Sequence, residues 1–374
     1  MKRSKCGWKL FSTTLLVLAI GGILCAPVFA DYEMGINDQG SSYDKYPVLK
    51  TGEEINAILN SLSGVDSDGY FIENEIIETI VFTEEGTPEG VTAEELGESG
   101  GSVKAWFDRE KATIFISTTA EKINLNENSF SMFEGMEAMK RVDLQKFDTS
   151  SVTDMGCMFA RCSSLEELDV SHFDTSSVTN MYKMFSGCSS LEELDVSHFD
   201  TSSVVSMSRM FDGCRSLSEL DVSHFNTSFV TYMAGMFYCC NSLKELDLSN
   251  FDTSSATDMG YMFARCSSLG ELALSNFDTS SVTDMSAMFY ECSNLRELDV
   301  SGFFTSSVEY MRFMFDGCSS LRELDVSNFD TSSVTDMSWM FYGCSSLREL
   351  DVSNFDMSSV TDDYDMFEGC SGLN

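Results

Sequence analysis

The sequence predicts an α/β repeat solenoid with one short parallel strand and one short helix per 26-residue rung, preceded by an N-terminal α+β capping region. Three observations lead there. Met-Phe pairs recur without slippage, ending at Phe133, Phe159, Phe185, Phe211, Phe237, Phe263, Phe289, Phe315, Phe341 and Phe367, and a Cys follows at 162, 188, 214, 240, 266, 292, 318, 344 and 370. Strict spacing of this kind means that each copy is one unit of a stack. Within a copy, Leu168-Asp169-Val170 alternates apolar and polar, the period of a strand. Val178, Met181, Met184 and Phe185 then fall on one face of a helical turn.

The elements follow in order. Residues 1–30 read as a signal peptide: Lys2, Arg3, Lys5 and Lys9 open it, Leu10 to Leu24 is mostly apolar, and Val28-Phe29-Ala30 offers a cleavage site. Cys25 suggests lipid attachment, but Leu24 before it is not the small residue that this chemistry wants. The apolar run is shorter than the roughly 20 residues of a membrane span. No later run spans a membrane, so the chain left after cleavage is expected to be exported without one. Residues 31–129 hold 21 acidic and 6 basic residues and lack the 26-residue period. A helix is expected over Glu53–Leu62, and strands over Ile76–Phe82 and Val103–Ile116. This region reads as the cover of an open core end, which a stack of repeats needs. Residues 130–374 are the repeats. In each, Leu168 and Val170 point inward, while Glu167, Asp169 and Ser171 point to the other face. Asp174-Thr175-Ser176-Ser177 is a turn and cap cluster. Ser281-Val282-Thr283-Asp284 looks like a capping box that starts the helix, and Gly187 suits its stop.

The pattern Leu165-x-x-Leu168-x-Val170 resembles a leucine-rich repeat. The whole unit, FDTSSVT-x-M-x-x-MF-x-x-CSSL-x-ELDVS, closely resembles the 26-residue repeat of the BspA-like leucine-rich-repeat family of bacterial surface proteins. The resemblance covers about residues 102–374. It implies an exported, leucine-rich-repeat-like solenoid, secreted or at the cell surface, that binds proteins or serves adhesion.

Composition narrows the function. Sixty Asp and Glu stand against 23 Lys and Arg, a net charge of -37. Nucleic-acid partners are excluded on that balance, and extracellular proteins with basic patches fit it better. With 43% hydrophobic residues the acidity does not mean disorder. Only three His are present, and His172, His198 and His224 share a column that later holds Asn250, Asn276, Asn328 and Asn354. That column reads as a polar turn site, without a fourth ligand for zinc. The Cys column reads as a ladder of buried thiols about 4.8 Å apart, if the rungs pair as strands do. Gly97-Glu98-Ser99-Gly100-Gly101 matches G-x-S-x-G, but no strand precedes it as a nucleophile elbow requires. Asp66, Asp68 and Glu75 sit at calcium-loop offsets, yet Gly64 stands where the first carboxylate belongs. No cofactor is therefore expected, with calcium the one ion the sequence admits.

The strongest surface signal is a double acidic column. Glu167, Glu193, Glu219, Glu245, Glu271, Glu297, Glu323 and Glu349 form one line; Asp169, Asp195, Asp221, Asp247, Asp299, Asp325 and Asp351 form the other, with Ala273 the gap. Two carboxylates ~5 Å apart in water repel by about 0.8 kcal/mol. Arg296, Arg322 and Arg348, each beside a Glu of the column, are placed to relieve the later rungs. The sequence thus predicts a non-enzymatic binder of macromolecules acting through this face. The alternatives are a secreted scaffold with no specific partner, or an enzyme built on the N-terminal region.

Overall fold

The computed structural model describes residues 46–63, 76–98 and 102–373. All of them belong to the compact unit Tyr43–Asn374. The signal peptide, the calcium candidates Asp66, Asp68 and Glu75, and Ser99-Gly100-Gly101 lie outside the described residues.

Helix α1 (Gly52–Leu62) starts at a true capping box, in which Thr51 and Glu54 satisfy each other's backbone amides. Its Ile55 and Leu59 are buried. The expected strand over Val103–Ile116 is two strands, because Ala112 takes a left-handed φ of 50° and the chain turns back on itself. Strands β1 (Thr79–Thr83), β2 (Glu94–Glu95), β3 (Lys104–Asp108) and β4 (Thr113–Ser117) form a mixed sheet in the order β2-β3-β4-β1. A short β5 (Ile123–Asn124) follows. The sheet runs on into the first repeat: β6 (Arg141–Val142) pairs in parallel with β1, and β5 pairs with β7 (Phe147–Asp148). Helix α1 also meets the first repeat directly. Asn56 Nδ2 donates to the Met132 and Glu134 carbonyls at 3.4 and 3.0 Å. Gly52 comes so close that a Cβ there would stand 2.3 Å from the Phe130 carbonyl oxygen.

From residue 128 onward each repeat lies beside the next in parallel. Bridges run Asn128–Asp154–Asn180–Ser206–Tyr232–Asp258–Asp284–Tyr310–Asp336–Asp362, every step 26 residues. One continuous core extends from Leu49 to Cys370. Its axis is a column of phenylalanines, Phe133 to Phe367, with ring centroids 5.5–5.9 Å apart and planes within 15°. The repeats are therefore spaced wider at this column than strand pairing predicts.

The expected helix in each rung is absent from the described residues. The segment Met181–Cys188 is a run of tight turns. The amides of Met181, Lys183, Phe185 and Gly187 donate to the carbonyls of Ser206, Ser208, Met210 and Asp212 in the next rung, at 2.6–3.0 Å. The amides between them, of Met184, Ser186 and Cys188, reach three residues back. Two left-handed positions per rung enforce this alternation, as at Lys183 (φ 54°) and Gly187 (φ 78°). An α-helix would use every amide inside the rung, whereas these turns free every second one for the neighbour. The side chains still fall on one inward face, so the helical spacing in the sequence reports burial correctly and backbone geometry incorrectly. The capping box expected at Ser281–Asp284 is likewise a different device. Asp284 Oδ1 accepts the Ser286 amide two residues on, at 2.7 Å, a side-chain turn that opens no helix.

The strand half is also reduced. Leu168 and Val170 are buried while Glu167, Asp169 and Ser171 are exposed, as the alternation predicts. Parallel pairing there is confined, among the described repeats, to Arg141–Val142, to β8 (Glu271–Leu272) with β9 (Glu297–Leu298), and to the bridge Glu323–Glu349. Polar columns hold the remaining rungs together. In the rung-to-rung bond of Thr227, Oγ1 donates to the Asp252 carbonyl and accepts the Asp252 amide, both at 2.8 Å.

Candidate functional site

The Glu column is fully realised as a surface. All eight glutamates from Glu167 to Glu349 are exposed. Glu167, Glu193 and Glu219, with Asp169, Asp195 and Asp221, line one shallow trough. Glu245, Asp247, Glu271, Glu297 and Asp299 line a second further along the stack. Glu271 stands directly opposite Glu297, and Glu323 opposite Glu349. Among the described residues the column forms one ion pair, Arg141 Nε to Glu167 at 3.5 Å. Arg296, Arg322 and Arg348 are exposed and form no ion pair with the column, so the expected relief of the later rungs is not found among the described residues.

The Asp column behaves differently. In each of Asp169, Asp195, Asp221, Asp247, Asp299, Asp325 and Asp351, Oδ1 accepts the amide of the serine two residues on, at 2.9–3.0 Å. Hydroxyl and amide hydrogen bonds from that serine hold Asp169, Asp221, Asp299 and Asp325 below the usual carboxyl range. Each aspartate therefore builds its own turn, which gives this column a structural reason that needs no ligand. One face thus carries two kinds of carboxylate. Among the described residues the glutamates after Glu167 form no ion pair, and the aspartates have one oxygen committed.

The His column is a polar turn site. His172 and His224 place Nε2 2.9 Å from the Leu144 and Val196 carbonyls of the previous rung. Asn250, Asn276, Asn328 and Asn354 donate to the previous rung in the same way. No group of His, Cys, Asp and Glu among the described residues is arranged to hold a metal ion. In the G-x-S-x-G segment, Gly97 pairs with Leu49 and Glu98 accepts from Asn126, so this end of it serves as chain-to-chain bonding.

The eleven cysteines from Cys157 to Cys370 are buried and unbridged. In the ladder, each Sγ donates to the carbonyl of a Phe 29 residues earlier, at 2.9–3.2 Å. Burial pushes the thiols up, Cys292 to about 12. They stay protonated at neutral pH and act as donors. The folded protein is expected to label poorly with a thiol reagent at pH 8 and fully after denaturation. Rapid labelling of the folded chain would contradict the buried ladder.

On another side of the repeats, Asp316 is pushed up to about 6 by burial and by the neighbouring Glu291. Its folded value exceeds the unfolded one, so its stabilising contribution is complete below about pH 4 and is lost as pH rises through about 6. The melting temperature of an Asp316→Asn variant should exceed the parent's by a margin that grows from pH 4 to pH 7. A margin that shrinks over that range would reverse the assignment. Sequence reasoning did not single out this carboxylate or the aromatic residues around it. The available signal was their departure from the repeat: Phe313 and Trp339 stand where Lys183 and Arg209 stand in earlier rungs.

One unit bonded to the next through backbone, thiol and hydroxyl columns over the whole of residues 128–373 defines a repeat protein. Three overlapping segments, residues 127–220, 215–303 and 270–374, match the family described as "Mycoplasma protein of unknown function, DUF285", and the chain belongs to that family. Comparison with curated proteins and with solved structures finds no match. No helix among the described residues is long and apolar enough to cross a membrane.

Proposed function

We propose that this chain is an exported, non-enzymatic solenoid of the BspA-like leucine-rich-repeat type, secreted or held at the cell surface, whose acidic face binds basic patches on extracellular proteins. The observation that carries this reading is the Glu column, in which Glu167 alone forms an ion pair among the described residues. Eight exposed glutamates stack along the repeats with one ion pair among them. Like charges so close oppose stacking, and the serine turns that account for the Asp column do not account for the Glu column. A partner bearing Lys and Arg would neutralise it, and association would be steered by charge and weakened by salt.

The test removes charge and keeps the turns. Glu219→Gln, Asp221→Asn, Glu245→Gln and Asp247→Asn are combined. Asparagine preserves the turn, since Asn226 Oδ1 accepts the Ser228 amide at 3.1 Å in a neighbouring column. Pull-down of extracellular proteins by the chain without its first thirty residues should give salt-sensitive partners that the fourfold variant no longer retains. The variant should also melt higher, because repulsion is relieved. Equal retention of every partner would reduce the face to a solvated surface.

A further inference from the structure

The excess of acid is not spread evenly around the repeats. On the turn half of the first rungs, cations gather. Lys183 and Arg209 are successive members of one column, at left-handed φ of 54° and 57°, and the column turns neutral at Gly235. Arg209 Nη1 lies 3.3 Å from Asp212 Oδ2. Burial pushes the Asp212 carboxyl up, and Arg209, Lys183 and Arg215 oppose that shift, so all three cations stand around it. Arg161 joins from a neighbouring column. Its amide donates to the Ser186 carbonyl, and the amide of the adjacent Gly187 donates to the Asp212 carbonyl, both at 2.6 Å. Gly187 and Gly213 follow Arg161 in its column, so no side chain of that column covers it. The Arg161 side chain is 66% exposed, and its ion pair with Glu134 is long, at 3.7 Å. Arg215 is exposed as well.

We infer that this basic patch is the docking site for a second copy of the chain, whose acidic trough at Glu167, Glu193 and Glu219 receives it. The inference rests on the reading that the trough recognises cations. Charge complementarity selects the occupant, because each copy carries both halves of the contact: the patch on the turn half of its first rungs, the trough on the strand half of the same rungs. The repeat also sets the register. Lys183 and Arg209 stand one unit apart, as do Glu167, Glu193 and Glu219, so a match at one rung aligns the next. At physiological salt, charges more than about 8 Å apart are largely screened. The local pattern therefore outweighs the net charge of -37. Patch and trough are different surfaces, so the contact is heterologous and continues from copy to copy.

Sedimentation of the chain used for the pull-down tests this. The parent should form dimers and longer assemblies as its concentration rises, and lose them at high salt. Arg161→Gly, Lys183→Gly and Arg215→Ser, combined, clear the patch with residues that the repeat itself places in those columns, as at Gly187, Gly235 and Ser189. Arg209 is kept for Asp212. Glu167→Gln, Glu193→Gln and Glu219→Gln, combined, neutralise the trough. Each triple variant should self-associate about tenfold or more weakly than the parent, the scale of several lost exposed ion pairs. Mixed together, the two should form heterodimers that grow no further, because one intact patch then meets one intact trough. A parent that stays monomeric would overturn the inference, as would triple variants that assemble as the parent does, or a mixture no more associated than its components. The reading of the trough is judged separately in the pull-down. Partners held by the patch-cleared chain and lost by the trough variant would sustain it even where the parent is monomeric.

Discussion

Replacing Phe263 with alanine is expected to lower the unfolding free energy by about 3–5 kcal/mol, as a large buried aromatic truncation does. Phe263 is fully buried and stacks on Phe237 and Phe289, both at 5.8 Å. A repeat has no core of its own, so the loss falls on two interfaces at once. The backbone adds to this. The Phe263 amide donates to Met288 in the next rung, and the Phe263 carbonyl accepts the Cys292 thiol at 3.0 Å. A void there leaves these bonds in place but removes the packing that aligns them. Denaturant titration checks the value, and a change below about 1 kcal/mol would mean that the ring is not a structural axis.

Thr227→Val should cost about 2–4 kcal/mol, although it keeps shape and burial. Thr227 is fully buried, and its hydroxyl satisfies both the amide and the carbonyl of Asp252. Valine leaves a part-buried donor and a part-buried acceptor of Asp252 without their partner, each worth roughly 1–3 kcal/mol where water does not replace it. Thr227→Ser should recover most of the loss, because the serine hydroxyl can make both bonds. If valine and serine variants denature together with the parent, the Thr column is packing alone.

The period, the inward residues and the exposed acidic columns were all legible in the sequence, because burial follows the spacing of apolar residues whatever the backbone does between them. What was not legible is how the amides are used. Met181, Met184 and Phe185 suit a helical turn and suit the observed tight turns equally. The deciding feature, a left-handed φ at Lys183, is written in no residue type that favours it. Thr175, in the turn and cap cluster, is buried and bonds the next rung, since a hydroxyl that bridges two rungs looks no different in sequence from one that meets water. The split of the acidic face into committed aspartates and glutamates that, after Glu167, form no ion pair among the described residues was hidden for a similar reason. Its sign was the serine two residues after each Asp, a local pairing within the longer period.

The rung-to-rung bonds carry one further consequence. The rung-to-rung bonds reach no further than the adjacent unit, and nearly every unit offers the same donors and acceptors. Unequal recombination between such similar stretches of gene would therefore remove or add whole units and leave every junction chemically complete. The phenylalanine column would gain or lose one ring per unit, at the 5.5–5.9 Å spacing of its neighbours. A single-codon deletion inside one unit would instead put thiol, threonine and serine columns out of step at once. Variation in this lineage should be expected in copy number, and in the few outward residues that depart from the shared pattern.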